Sequence, residues 1–195
     1  MSYEEQLWLD FRTGDPQALA RIAEDYFRSL LRYGMKFGMD AADVEDCIQD
    51  LFMDLWQNRL RINDTPSVRN YLFKSLRNRI TERYRNKNRL GSEEEVLWHT
   101  ELSDFHNAES DWIEKEKLHA VGMLLHTHIE ELPRREKEAL YLRYYENLTI
   151  QEVAEIMGVN RQSAANFLQK ALVKLRRKYC FPVILLLSAV YFFYK

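Results

Sequence analysis

The sequence predicts an all-α protein of two small helical domains joined by an acidic linker, the second carrying a helix-turn-helix. Three observations carry that expectation. Six Gly and four Pro in 195 residues are too few turn formers for a β-rich chain, and no alternating apolar run bounded by turn residues reads as a strand. Apolar residues recur instead at three- and four-residue spacing over long stretches. One continuous run, Leu148 to Arg177, then holds the stop and start signals of two helices meeting at a tight turn. The expected organisation is a first domain over residues 1–90, a linker over 91–111, a second domain over 112–179 and an apolar tail over 180–195.

In chain order, Tyr3 to Phe11 reads as a short amphipathic helix. Asp15-Pro16 opens the next, with Asp as cap and Pro at the first helical position, followed by a stripe of Leu19, Ile22, Ala23, Tyr26, Phe27, Leu30 and Leu31. Asp40 caps a third helix, "AADVEDCIQDLFMDLWQ", with Val44, Ile48, Leu51, Phe52 and Leu55 inward. Its other face aligns Asp43, Asp46, Gln49, Asp50, Met53 and Asp54, an acidic strip with one apolar spot. Carboxylates at that spacing are far more often a solvated face than a metal site, and no His or Cys completes a ligand set. Such a strip also suits docking on a basic partner.

After the loop "NRLRINDTPS", Thr65-Pro66 opens a fourth helix, Ser67 to about Asn86. Val68, Tyr71, Leu72, Leu76 and Ile80 face inward, and Arg69, Lys74, Arg77, Arg79, Arg83 and Arg85 face out with Asn70 and Asn78 among them. Basic residues interleaved with amides and with Tyr71, Phe73 and Tyr84 can track a phosphate backbone and stack unpaired bases, although a merely soluble basic helix is as good a reading of this helix alone. Gly91 to Asp111 has no sustained period and reads as the linker. A helix from about Trp112 to Glu131 follows, with Leu118, Val121, Leu125 and Ile129 inward. His126 and His128, two apart, do not share a helix face and are not expected to bind metal. Pro133 starts "PRREKEALYLRYY", read as one helix.

In the helix-turn-helix, Thr149 and Glu152 have capping-box spacing, Val153, Ile156 and Met157 form the apolar stripe, Gly158 ends the first helix and Asn160 caps the second. Ala164, Leu168, Ala171, Leu172 and Leu175 face a core. Arg161, Gln162, Ser163, Asn166, Lys170 and Lys174 face out, short polar groups first and lysines later, as suits base edges in a major groove and the phosphates beside it. A plain two-helix packing unit has the same spacing. The tail, "CFPVILLLSAVYFFY", is apolar after a basic run. As a helix of about 13 residues it would span about 20 Å, short of the ~30 Å hydrocarbon core. Burial on its own domain or on a partner is expected before a membrane-surface contact.

A net charge of −2 hides a strong pattern. Residues 1–60 hold 6 Lys+Arg against 12 Asp+Glu, 61–90 hold 9 against 2, 91–131 hold 2 against 11, and 132–195 hold 11 against 5. Two basic blocks, each beside an acidic one, suggest two polyanion-binding surfaces. Cys47 and Cys180 make no disulfide framework and suit a reducing cytosol. No signal segment opens the chain, so a cytoplasmic protein is expected. An enzyme has little support: there is no phosphate-cradling glycine loop, nucleophile–base pair or complete metal set, and no cofactor is expected.

"DVEDCIQDLFMDLW", then "SVRNYLFKSLRNRITERYR", then "LPRREKEALYLRYYENLTIQEVAEIMGVNRQSAANFLQKALVKLR" together resemble the extracytoplasmic-function (ECF) sigma factors of the sigma-70 class, over about residues 10–90 and 110–178. The resemblance implies a promoter-specificity subunit that binds core RNA polymerase and promoter DNA. Its first domain would bind the −10 element and the clamp helices of the polymerase largest subunit, and its second the −35 element. On this resemblance Asp46, Gln49, Asp50, Met53 and Asp54 correspond to the polymerase-docking face. Arg61, Asn63 and Asp64 lie in the segment that captures a flipped −10 base, and Arg77, Asn78 and Arg83 match the basic helix behind it. Arg161, Gln162, Ser163 and Asn166 match the −35 reading helix, with Lys170 and Lys174 as phosphate contacts. Ala165 and Phe167 stand where the family often has basic residues, implying weaker or shifted phosphate anchoring. The apolar tail lies outside the family pattern and leaves room for an extra contact, an anti-sigma factor among the candidates. The rival expectation is a stand-alone helix-turn-helix regulator that binds duplex operators without polymerase. A third is a membrane-tethered adaptor using the tail.

Overall fold

The computed structural model describes residues 3–62, 65, 67–87 and 125–178. The expected linker, the tail, the first part of the helix expected from Trp112, and Asn63, Asp64 and Pro66 lie outside the described residues. Among the described residues every regular element is helical. The chain divides into two compact units, Met1–His99 with Ala154–Asn160, and Thr100–Val153 with Arg161–Lys195.

Helix α1 (Tyr3–Thr13) buries Leu7, Trp8 and Phe11. It stops at Gly14, whose φ of 100° suits only glycine. Asp15 caps α2 (Pro16–Met35): its carboxylate accepts from the Gln17 N–H at 2.9 Å, and Pro16 sits where a missing N–H costs nothing. Asp40 does the same for α3 (Ala41–Gln57), accepting from the Asp43 N–H at 2.7 Å. Helix α4 runs Val68–Lys87, and the Ser67 hydroxyl accepts from the Asn70 N–H at 3.2 Å to close its first turn.

α2, α3 and α4 pack against one another, with α1 laid on α2 and α4. Phe11, Ile22, Leu30, Tyr33, Ile48 and Leu72 are among the fully buried side chains at the centre. Each such burial contributes about 1.5–3 kcal/mol. Trp8 bridges to α4 through Tyr71, ring centroids 5.5 Å apart, and Tyr33 meets Phe73 at 5.1 Å. Phe73, expected among the base-stacking aromatics, is thus wholly in the core, and the Tyr84 hydroxyl donates to the Phe37 carbonyl at 2.6 Å. α3 buries Cys47 as a free thiol on the side that meets α4, while Phe52, expected inward, is only half-buried.

Among the described residues, the first helix after α4 is α5, residues 125–130. Pro133 precedes α6 (Arg134–Leu140), and the chain then widens into a π-helical turn, Tyr141–Tyr145, where a single straight helix was expected. There the Glu146 N–H donates five residues back to the Tyr141 carbonyl at 3.0 Å, and the Tyr141 and Tyr145 rings stack at 4.8 Å. Asn147 follows at φ 55°, a left-handed conformation that Asn tolerates better than most residues. α7 is Ile150–Met157 and α8 is Arg161–Lys178. α6 packs on α8, with Ala139, Leu142, Ala164 and Ala171 fully buried. Leu172, expected inward, is 42% exposed beside Val173 at 42%, so the buried stripe of α8 is narrower than its spacing predicts.

Candidate nucleic-acid and partner interfaces

The first surface lies on α3. The 3.6-residue period that buries Val44, Ile48, Leu51 and Leu55 necessarily turns Asp46, Gln49, Asp50, Met53 and Asp54 out, and all five are exposed. Met53, at 59%, is an apolar side chain among carboxylates. The strip is not a bare acidic face. Arg79 and Arg83 reach across from α4, Arg79 pairing with Asp54 and Arg83 with Asp43, and Arg83 lies 3.8 Å from Asp46. Asp46 and Asp54 keep more than half of their side-chain surface open.

Behind this seam sits Cys47. Its Sγ accepts from the Arg83 guanidinium at 3.6 Å. Burial pushes its thiol pKa up, against the pull of Arg83, so the group stays a neutral core thiol.

The second surface comprises the turn after α3 and the outer side of α4. Arg61 is exposed, its N–H donating to the Asn58 carbonyl at 2.8 Å. Asn63 and Asp64, expected beside it, lie outside the described residues. Leu60, which the sequence reading passed over, is 77% exposed at the same turn. Its signal was an isolated apolar residue between Arg59 and Arg61 with no stripe to join. Along α4, Lys74, Asn78 and Arg85 are exposed, whereas Arg77 is only 9% exposed and Arg83 is engaged with α3. The expected set Arg77, Asn78 and Arg83 therefore splits: Asn78 is open, and the two arginines are held in the fold.

The third surface is the helix-turn-helix. Thr149 and Glu152 form a reciprocal capping box, the Thr149 N–H donating to Glu152 Oε2 at 2.8 Å and the Glu152 N–H to Thr149 Oγ1 at 3.3 Å. Gly158 takes φ 65°, with nothing within 4 Å of the place a Cβ would occupy, so the backbone angle alone calls for glycine there. On α8, Arg161, Gln162, Asn166 and Lys170 are exposed and Ser163 is half-buried. The Gln162 amide nitrogen donates to Asn166 Oδ1 at 3.1 Å.

Lys174 is placed differently from its neighbours. Its ammonium lies 2.8 and 2.9 Å from the two carboxylate oxygens of Glu136, whose side chain is 7% exposed. A nearly buried carboxylate left without its cation keeps the desolvation cost and loses the compensation. Lys174→Met is accordingly expected to destabilise the protein by about 2 kcal/mol. The half-open lysine keeps this below the cost of breaking a fully buried pair, and a lowered urea midpoint measures it. Lys170→Met should leave the unfolding free energy within about 0.5 kcal/mol of the parent value.

Among the described residues no three His, Cys, Asp or Glu side chains are grouped so as to hold a metal ion, and no helix is long and apolar enough to cross a membrane.

Comparison with known proteins finds two family matches in the chain. Residues 22–90 match sigma-70 region 2, and residues 122–175 match sigma-70 region 4. The RNA polymerase sigma factor SigV of Bacillus subtilis is 22% identical over 81% of this chain and 89% of its own length. The ECF RNA polymerase sigma factor RpoE of Cereibacter sphaeroides is 24% identical over 84% and 87%. Among solved structures, CnrH in complex with the cytosolic domain of CnrY superposes with a TM-score of 0.60 at 18% identity, over 89% of this chain and 95% of that one. The sigma factor RpoE in complex with the anti-sigma factor NepR, from Bartonella quintana, gives 0.57 at 16% identity, over 81% and 94%.

Proposed function

The chain belongs to the sigma-70 family, as an RNA polymerase sigma factor of the ECF type that directs promoter-specific initiation, and from that premise we propose how its surfaces divide the work. The observation that carries the premise is the pairing of region 2 and region 4 in one chain, in that order. A stand-alone regulator has use for the second and none for the first.

The α3 strip of Asp46, Gln49, Asp50, Met53 and Asp54 is the surface for core polymerase. Its carboxylates steer it to a basic face, and Met53 supplies an apolar anchor that loses water on docking. The segment of Arg61, Asn63 and Asp64, together with Asn78 of α4, takes the −10 element as separated strand. Flipping a base out of the stack leaves its edge open to side chains in a pocket. Arg77 and Arg83 shape that surface from within the fold and add positive potential rather than direct reach. The start of α8, with Arg161, Gln162, Ser163 and Asn166, reads the −35 element as duplex, with Lys170 on a neighbouring phosphate. Lys174 serves the fold first, through Glu136.

Chemistry stays with the core enzyme, and the chain acts in the cytoplasm, where core enzyme and promoters are. An anti-sigma partner belongs to the same reading, since the structurally similar RpoE was solved with one.

Electrophoretic mobility of a promoter fragment, with and without core polymerase, tests the division of labour. A sequence-specific shift should require core enzyme and this chain together. A specific shift by the chain alone, unchanged by core enzyme, would restore the stand-alone regulator.

A further inference from the structure

Two exposed amides near the start of α8 share one hydrogen bond. Gln162 donates from Nε2 to Asn166 Oδ1 at 3.1 Å. Four residues apart, they lie one above the other on a single helix face. That face belongs to the first two turns of α8, where a recognition helix meets base edges. Between Arg161 and Lys178 the helix has no carboxylate to repel a phosphate backbone.

An amide holds one acceptor oxygen and two donor hydrogens. When one amide donates to another, the donor group turns its oxygen away and the acceptor group turns its NH2 away. The couple therefore presents one acceptor beside one donor. Rotating both amides end for end only reverses their order.

In the major groove adenine alone shows a donor, N6–H, beside an acceptor, N7. Guanine shows two acceptors, cytosine a donor only, and thymine an acceptor with a methyl group. We propose that Gln162 and Asn166 act as one composite adenine reader at a single A·T pair of the −35 element, Gln162 Oε1 accepting from N6–H and Asn166 Nδ2 donating to N7. Guanine at that position sets its O6 against the Gln162 carbonyl, so the couple repels the wrong purine as well as binding the right one. This deepens the −35 assignment of α8 and rests on it.

The test uses holoenzyme assembled from the full chain and core polymerase, with a promoter library randomised across the −35 element and run-off transcripts counted by sequence. The parent should show one position at which adenine exceeds each other base by roughly 5- to 100-fold, the range for a bidentate base contact. Gln162→Ala and Asn166→Ala should each flatten that same position to within about threefold and leave the other positions unchanged. The double substitution should do little more than either alone, since the two groups act as a unit. The adenine reader is overturned if the affected position prefers another base, if the two substitutions flatten different positions, or if both weaken all sequences alike. A parent profile with no upstream preference at all would overturn the −35 assignment itself, a separate and recognisable result.

Discussion

Met53→Asp should weaken binding of the chain to core polymerase by about 100-fold, close to 3 kcal/mol, without changing the chain's own stability. The side chain is 59% exposed, so its removal leaves no cavity in the fold. On the docking proposed for this strip, the same position is its one apolar point, and an aspartate there would carry an unpaired charge into a desolvated contact. Neighbouring substitutions should separate by physical role. Asp50→Lys is expected to slow association chiefly at low salt, because a rim carboxylate steers encounter more than it holds the complex. Gln49→Ala should be nearly silent. Surface-immobilised core enzyme and a salt series measure all three, and equal losses at the three positions would count against an apolar anchor flanked by steering charges.

The second large effect concerns the fold that presents this strip. Gly34 of α2 faces α3 so closely that a Cβ would sit 2.3 Å from Val44 Cγ1, and 3.4 Å from Ile80 Cδ1 of α4. Val44 is β-branched and confined to essentially one rotamer in a helix, so it cannot swing aside. Gly34→Ala should therefore cost about 1–3 kcal/mol through overpacking, reduced by up to about 1 kcal/mol of gained helix propensity. The urea midpoint should fall accordingly, and core binding with it as the α2–α3 contact is forced apart. A double-mutant cycle makes the cause visible: with Val44→Ala in place, room exists for the new methyl, and Gly34→Ala should become neutral or stabilising. Strict additivity of the two substitutions would rule out the close approach as the reason for glycine.

Local signals in the sequence were read well because their physics is local. Asp15, Asp40 and the Thr149–Glu152 box cap helices through groups two or three residues away, and Gly158 closes α7 by its own φ. The outward strip of α3 follows from periodicity, and five of its six members are exposed, while Asp43 is half-buried against Arg83. What could not be read depends on which helix lies alongside. Arg79, Arg83 and Lys174 looked like surface cations counted along their own helices, and they sit opposite Asp54, Asp43 and Glu136 only once α3 meets α4 and α6 meets α8. Phe73 carried no mark separating a core aromatic from a base-stacking one, and the pocket beside Tyr33 decides it. The π-helical turn at Tyr141–Tyr145 has the apolar spacing of an ordinary helix, so nothing in its residues announced it.

The most direct measurement is run-off transcription by purified core polymerase on a genomic fragment library, with and without this chain, followed by mapping of the start sites. A sigma factor produces discrete new starts, each preceded by the same two upstream elements at a fixed separation, because two separately bound surfaces of one chain read them. Starts unchanged by the chain, with specific duplex binding by the chain alone, would contradict it.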